Sequence, residues 1–427
     1  MDRTQFQSIA TCAMAAALLS SPAEPQSAPQ TVTAWTNGRW FNGTMFTPLD
    51  VYSVGPRLTL KRPRRIDRTV DLANTYVTPA FGEAHNHNLP GVDADAMIRT
   101  YLSQGIFYVM IQENSPDARA QLAHRINRPT SVDVAFANGA FTSPGGHPSG
   151  LVERNIKNGG MTDADRDGGF LLPVSSTDNI DRQWWTRVRR QRPDLIKMML
   201  VYSEDRATGV PRPTDTDRHG LDPTLAAHIV TLARREKLRV SAHVESAYDF
   251  DVAVAAGADI IAHMPGFWPD LPRISSQGIG IYKITDEAAA RAGRQHTIVV
   301  TTISESLRYM ATDQIPVAIR ESLRDVYRHN LATLAKHGVR IAIGSDQFRS
   351  TSVEEALEIH RAGLMTPAAL LRALSSDAAG AVFPRRAPFG LAEGAPADFL
   401  VFDENVLQSF DAIQRVRRRV KGGEELP

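Results

Sequence analysis

From Tyr76 onward the sequence keeps one rhythm: an apolar run of strand length, a loop, an amphipathic stretch, a glycine, then another apolar run. Parallel strands need a crossover between them, and a helix supplies it, so this alternation predicts successive βα units. Eight runs qualify: VTPAFGEAH, IFYVMIQ, VDVAFANG, DLIKMML, LRVSAHVE, DIIAH, TIVVTT and VRIAIGSD. Gly105, Gly257 and Gly338 each stand between a helical stretch and the next run, where a left-handed cap ends a helix. The expected fold is α/β, a closed (β/α)8 TIM barrel over residues 76–385 with its site at the C-terminal ends of the strands.

The flanks have a different pattern. Residues 31–75 hold short alternating or aromatic-rich pieces with turn signals at Asn37-Gly38 and Asn42-Gly43, and residues 386–427 return to strand-like patterning. The two segments are expected to build one small β-sandwich domain from both ends of the chain. Residues 1–23 read as a signal peptide, with Arg3, an apolar stretch from Ile9 to Leu19 and small residues around Ser21-Pro22-Ala23, followed by a Pro/Ser/Gln linker over 24–30. That leader places the expected destination in a periplasm or outside the cell.

Composition narrows the chemistry. The chain has 427 residues, 42% of them hydrophobic, enough for one large core and a smaller second one. Lys and Arg total 48 against 47 Asp and Glu, so no global field draws nucleic acid, and no later run is long and apolar enough for a membrane span. A small molecule is the expected partner, and homo-oligomerisation is left open. The single cysteine, Cys12, rules out an intrachain disulfide and a thiolate metal site, so a metal would rest on His, carboxylate or modified Lys.

Side chains alternate along a strand, so His85 and His87 share a face, as a metal clamp needs; alone, the pair reads equally well as a polar strand end. Other strand ends repeat the arrangement. In LRVSAHVE, Leu238, Val240, Ala242 and Val244 form a face for helices, which turns Ser241, His243 and Glu245 inward. His263 ends DIIAH, and in VRIAIGSD the inward set is Ala342, Gly344 and Asp346. Lys197 lies in the apolar run DLIKMML, where an ammonium is costly unless neutralised, paired or modified, for example to a carbamate able to bridge two cations. Five strands thus present His85, His87, Lys197, His243, His263 and Asp346 at one rim, a nitrogen and oxygen set suited to zinc or a similar ion.

With these residues in place the sequence resembles the amidohydrolase superfamily over nearly all of the chain after the leader, in TPAFGEAHNH, DLIKMML, LRVSAH, IIAH, IGSD and the tail GLAEGAPADFLVFD. It is most similar to the carbamylated-lysine branch of prolidase-like dipeptidases and imidazolonepropionase relatives. The resemblance implies a hydrolase using two divalent metal ions, expected to be zinc, bridged by carbamylated Lys197. His85 and His87 would bind the more buried ion, His243 and His263 the second, and Asp346 would be a ligand and proton shuttle. The implied reaction is hydrolysis: the ions would turn a bridging water into hydroxide and polarise the scissile carbonyl, and Asp346 would pass the proton to the leaving group. Pro144-Gly145-Gly146-His147 matches a Gly-Gly-His loop of related dipeptidases, whereas Glu83 stands where the family usually has Asp.

His147 and Tyr202 are further catalytic candidates. His147 could reach a substrate carbonyl or carboxylate, against the alternative of a turn histidine held by backbone, and Tyr202 could donate to an oxyanion or simply pack. His219 is a loop candidate, and Glu245 could orient a ligand or make a local salt bridge. GFWPDLP reads as an aromatic lid with Phe267 and Trp268, or as packing. His124, His228, His329, His337 and His360 lie in helical patterns and are assigned no chemistry.

The expected function is cleavage of a C–N bond (amide, peptide or cyclic amide) in a small substrate. Lactone, ester or phosphotriester hydrolysis is the alternative on the same site. A one-metal deaminase would use a glutamate three residues after a metal histidine, whereas Glu245 is two after His243 and Lys197 would have no role. A catalytically dead scaffold would have lost ligands that this sequence keeps.

Overall fold

Five strands precede the parallel region: Val32–Phe41 (β1), Phe46–Val54 (β2), Arg57–Thr59 (β3), Arg68–Asp71 (β4) and Tyr76–Pro79 (β5). After Ala80 the chain continues directly into Phe81–Asn86 (β6). The run expected to be one strand therefore changes sheets at Ala80. β5 pairs with β1 and with a strand of the C-terminal tail, while β6 pairs in parallel with Ile106–Ile111 (β7).

The computed structural model describes residues 30–89, 93–207, 217–312 and 315–427. The expected leader over 1–23, Cys12 and the linker up to Pro29 lie outside the described residues. Residues 31–427 form one unit.

β7 continues the parallel pairing to Asp133–Phe136 (β8). Ala140–Thr142 (β9) and Leu171–Pro173 (β10) follow, then Leu195–Met199 (β11), Arg239–His243 (β12), Ile260–Ile261 (β13), Ile298–Val300 (β14) and Arg340–Ala342 (β15). The parallel strands pair as two sheets, β6-β7-β8 and β10-β9-β11-β12-β13-β14-β15. The sequence predicts one closed eight-stranded ladder; the pairing is instead interrupted at two margins, between β15 and β6 and after β8, and the second interruption has its reason in the third strand. Residues 137–139 separate β8 from β9, with Asn138 at φ 57, a left-handed conformation that takes the backbone out of a ladder. Gly139 is required there, because a Cβ would stand 1.8 Å from the Gly169 carbonyl oxygen. β10 is an edge strand inside the insertion between β9 and β11.

Individual backbone hydrogen bonds cross both margins between these sheets. Asp194 N donates to Phe136 O (2.8 Å), Ala84 N to Ile343 O (3.0 Å) and Asp346 N to His85 O (3.0 Å). All six residues of β7 are buried, as expected for parallel strands covered on both faces.

The tail supplies Phe399–Phe402 (β16), Arg418–Lys421 (β17) and Glu424–Glu425 (β18). The order is β18-β17-β16-β5-β1-β2-β3, with β4 beside β1, so both ends of the chain meet in one mostly antiparallel eight-stranded sheet. The expected sandwich is thus a single sheet, and Leu58 N to Ala395 O (2.8 Å) brings its β3 edge back toward the segment before β16. Its own small core centres on Phe399, which meets Trp35 and Trp40 edge-on at centroid distances of 4.9 and 5.0 Å.

Candidate metal centre and active site

β6 ends with His85 and Asn86 on opposite faces, followed by His87. Two imidazoles and a carboxylate converge there. His85 Nε2 lies 3.1 Å and His87 Nε2 3.0 Å from Asp346 Oδ1, and the two nitrogens are 3.2 Å apart. His263, just past β13, places Nδ1 3.3 Å from Asp346 Oδ2. His85, His263 and Asp346 offer ligand atoms all within 4.8 Å of one another.

The histidines are oriented from behind. His85 Nδ1–H donates to the carbonyl of Ala262 (2.9 Å), which fixes the tautomer and leaves Nε2 with a free lone pair. His87 Nδ1 faces Glu113 O at 3.4 Å, and His263 Nδ1 also contacts Thr302 Oγ1 at 3.0 Å. Burial holds His85 down to about 4 and pulls His243 and His263 well below the usual imidazole range, so all three present neutral nitrogen. At His87 burial acts the same way, but the hydrogen bond and charge of Asp346 outweigh it and raise the pKa. For Asp346 burial pushes up, and the surrounding imidazoles prevail and hold the carboxyl well below its usual value.

Asp346 has φ 49, a left-handed backbone that is uncommon outside glycine and must be fixed by its surroundings. Glu83 supplies much of that fixation. Its Oε1 accepts from Ser345 N (2.8 Å), and its Oε2 accepts from Ser345 Oγ (3.1 Å) and Ser352 N (2.6 Å). Asn86 Nδ2 adds a bond to Ser345 Oγ at 2.7 Å. The carboxylate two residues before His85 is therefore a clamp on the loop that carries Asp346. Burial raises its pKa well above the usual range, and the donors from Ser345 and Ser352 oppose that shift. Buried carboxylates hold neighbouring loops too: Glu355 accepts from Ile303 N and Ser304 N (2.7 and 2.8 Å), and Asp249 from Tyr202 N and Ser203 N (2.8 and 2.9 Å).

Lys197 is only 1% exposed, and its β11 register sets it beside Ser241 of β12 and Ala140 of β9. Among the described residues no carboxylate lies within ion-pair distance of its ammonium, and burial pushes its pKa down to about 8 although Asp346 and Glu113 oppose the shift. His243, in register with Met199, stands 4.5 Å from His263 between ring centroids and 4.8 Å from His147, and its Nε2 meets Glu245 Oε1 at 3.1 Å. His147 thus belongs to the same ring cluster, with Nδ1 3.8 Å from Asp217 and burial lowering its pKa to about 4.

The Tyr202 hydroxyl meets that of Tyr282 at 3.3 Å, and its ring lies under the Arg273 guanidinium at 3.7 Å. The carbonyl of His219 receives His147 N (2.7 Å), which gives that histidine a backbone part in the site. Phe267 stacks on His263, with centroids 4.0 Å apart and planes at 16°.

The sequence reading missed Glu113, Thr302 and Asp217. Glu113 follows β7 and is buried beside His87 and Lys197, with burial raising its pKa to about 7. Its signal was an acid directly after an apolar run; Thr302 and Asp217 had none, because a hydroxyl or carboxylate in a loop is common.

The model of the amidohydrolase family matches residues 188–426, more than half of the chain. No curated protein matches the sequence. Among solved structures, an ochratoxinase from A. niger has a TM-score of 0.70 at 18% identity, covering 94% of this chain and 97% of its own. A prolidase solved with N-methylphosphonate-L-proline has 0.66 at 18%, covering 93% and 99%, and a molinate hydrolase has 0.67 at 16%, covering 94% and 95%. At these identities the likeness shows a shared fold, TIM-barrel-like α/β with a separate sheet built from the N- and C-terminal segments. Among the described residues no helix is long and apolar enough to cross a membrane.

Proposed function

Because the chain belongs to the amidohydrolase family, a family of hydrolytic enzymes, we propose that it cleaves a C–N bond in a small amide, peptide or cyclic amide and that it does so with divalent metal. The observation that carries this reading is the convergence of His85, His87 and His263 on the two oxygens of Asp346. Nitrogen lone pairs crowded to 3.2 Å, with one ring fixed from behind by a backbone carbonyl, fit a cation between them.

In this proposal His85, His87 and Asp346 would hold one ion and His243 and His263 a second, with zinc suited to such donors. Lys197 would supply a further oxygen ligand as a carbamate, its neutral amine adding carbon dioxide and releasing a proton, a step favoured where burial depresses the ammonium. Bound ions supply Lewis acidity toward water and the scissile carbonyl. Asp346 then accepts the proton of the attacking water and returns it to the leaving nitrogen, its position fixed by Glu83 and by Asp346 N donating to His85 O. His147 lies beside His243 and orients the substrate. In the same reading the two parallel sheets are arcs of one barrel, joined by the backbone bonds at their margins.

The test is turnover by metal-replete protein of a panel spanning dipeptides, N-acyl amino acids, lactones and organophosphates. Asp346→Asn is expected to lower kcat by about 100-fold or more on the preferred class. Wild-type activity in Asp346→Asn would sink the proposed mechanism, and preference for lactones or organophosphates would replace the bond assigned.

A further inference from the structure

The segment GFWPDLP after His263 is only partly used by the reading above. Phe267 covers His263 face to face and meets the His243 ring edge-on at 5.6 Å, so it forms an apolar wall of the histidine cluster. The next residue, Trp268, is 48% exposed and lies parallel to Tyr309, with centroids 6.1 Å apart and planes at 11°. Tyr309 sits on the helix Ser304–Met310, which the Gln347 side chain joins through Glu305 and Arg308, and Phe348 beside Gln347 is 76% exposed.

Among the described residues Trp268 and Phe348 are the large exposed hydrophobics on the segments that follow β13 and β15, the two strands after which His263 and Asp346 meet. Apolar side chains beside a polar cluster are the usual composition of a ligand site.

We infer that Phe267 and Trp268, backed by Tyr309, form an aromatic subsite that takes an aryl group flanking the scissile bond of the substrate. The inference rests on the hydrolase reading. An aryl group fits because Trp268 already has one face against a parallel ring, and its exposed face offers offset stacking, which aliphatic chains cannot match in geometry. Phe267 links that platform to the histidines, so an aryl group on Trp268 places the adjoining amide beside the cluster.

Tryptophan itself provides the readout. The chain has five tryptophans, and Trp35, Trp40, Trp184 and Trp185 are buried, so acrylamide quenching reports on Trp268. Zinc-reconstituted protein is titrated with N-benzoylglycine, N-acetylglycine, glycine benzylamide and glycine methylamide, which place aryl or methyl on either side of an amide. At least one benzyl or benzoyl compound is expected to protect Trp268 and to bind about tenfold more tightly than its methyl partner by calorimetry. Trp268→Leu removes that advantage and leaves methyl compounds unchanged, while Trp268→Phe keeps most of it. Equal affinity of aryl and methyl compounds, or full aryl affinity in Trp268→Leu, overturns the subsite. So does Trp268 protection that follows protein concentration instead of ligand, which would assign the face to a second copy of the chain. If aryl compounds bind through Trp268 and no panel amide is hydrolysed, the hydrolase reading fails and the subsite stands.

Discussion

Glu83 shows how much a single carboxylate can control without touching a ligand. It accepts from Ser345 N, Ser345 Oγ and Ser352 N, and Ser345 precedes the strained Asp346. Replacement by Gln keeps the length but turns one oxygen into an amide donor facing donors. Glu83→Gln is expected to weaken zinc binding by about 10- to 100-fold, read by competition with a chromophoric chelator. The effect should vanish when Asp346→Asn is already present, because the clamp acts through that residue. Equal losses in both backgrounds would mean that Glu83 supports the fold generally. A second residue, Glu204, carries a pH signature. Burial raises its pKa to about 7, with Asp249 adding to the shift. A carboxyl whose folded pKa lies above its unfolded value stabilises fully below the unfolded value and loses that contribution as pH rises through about 7. Urea midpoints of Glu204→Gln should therefore fall less steeply than those of wild type between about pH 4.5 and 7.

At the scale of elements, the strand periodicity made the site legible. His85, His243 and Asp346 sit at alternate positions of apolar runs, so their inward direction could be read from the sequence, and the structure brings His85 and Asp346 into contact. What could not be read was long-range. The break between β8 and β9 depends on Asn138 in a left-handed conformation and on the approach of Gly169, 30 residues further on in sequence, to Gly139. The role of Glu83 depends on Ser345 and Ser352, which no local pattern connects to it. Tyr202 was readable as a residue past a strand end, but the contacts of its hydroxyl with Tyr282 and of its ring with Arg273 were not. Close approach of elements also predicts a sensitive glycine. A Cβ at Gly344 would lie 2.6 Å from His85 N and 2.7 Å from Val300 Cγ1. Gly344→Ala should cost about 1–3 kcal/mol in chemical denaturation and displace β6 from the end of β15.

At the scale of the whole molecule, the small sheet and the parallel sheets are fastened by buried charge. Lys421 of β17 is 6% exposed and donates to Arg128 O and Asp133 Oδ1, both at 2.9 Å, and to Ser131 O. Asp133 opens β8 and also meets Arg386. Lys421→Met would leave these three oxygens without their buried donor while Arg386 stays on Asp133, at a cost of about 1–3 kcal/mol. Denaturation midpoints would record that loss, while zinc stoichiometry in the folded protein should remain as in wild type. A loss of zinc without a loss of stability would show that the seam acts on the site directly.

The passage from β5 to β6 through Ala80 alone has a practical meaning for mutational scanning. β16 grips β5 along Phe399–Phe402, and the same backbone reaches His85 within a few residues with no loop to absorb movement. Substitutions in β16 are therefore expected to disturb His85 much as a change at the candidate site would. Functional sensitivity in this chain should be mapped along the rail of backbone that carries the histidines, since radius from the candidate metal site alone would miss it.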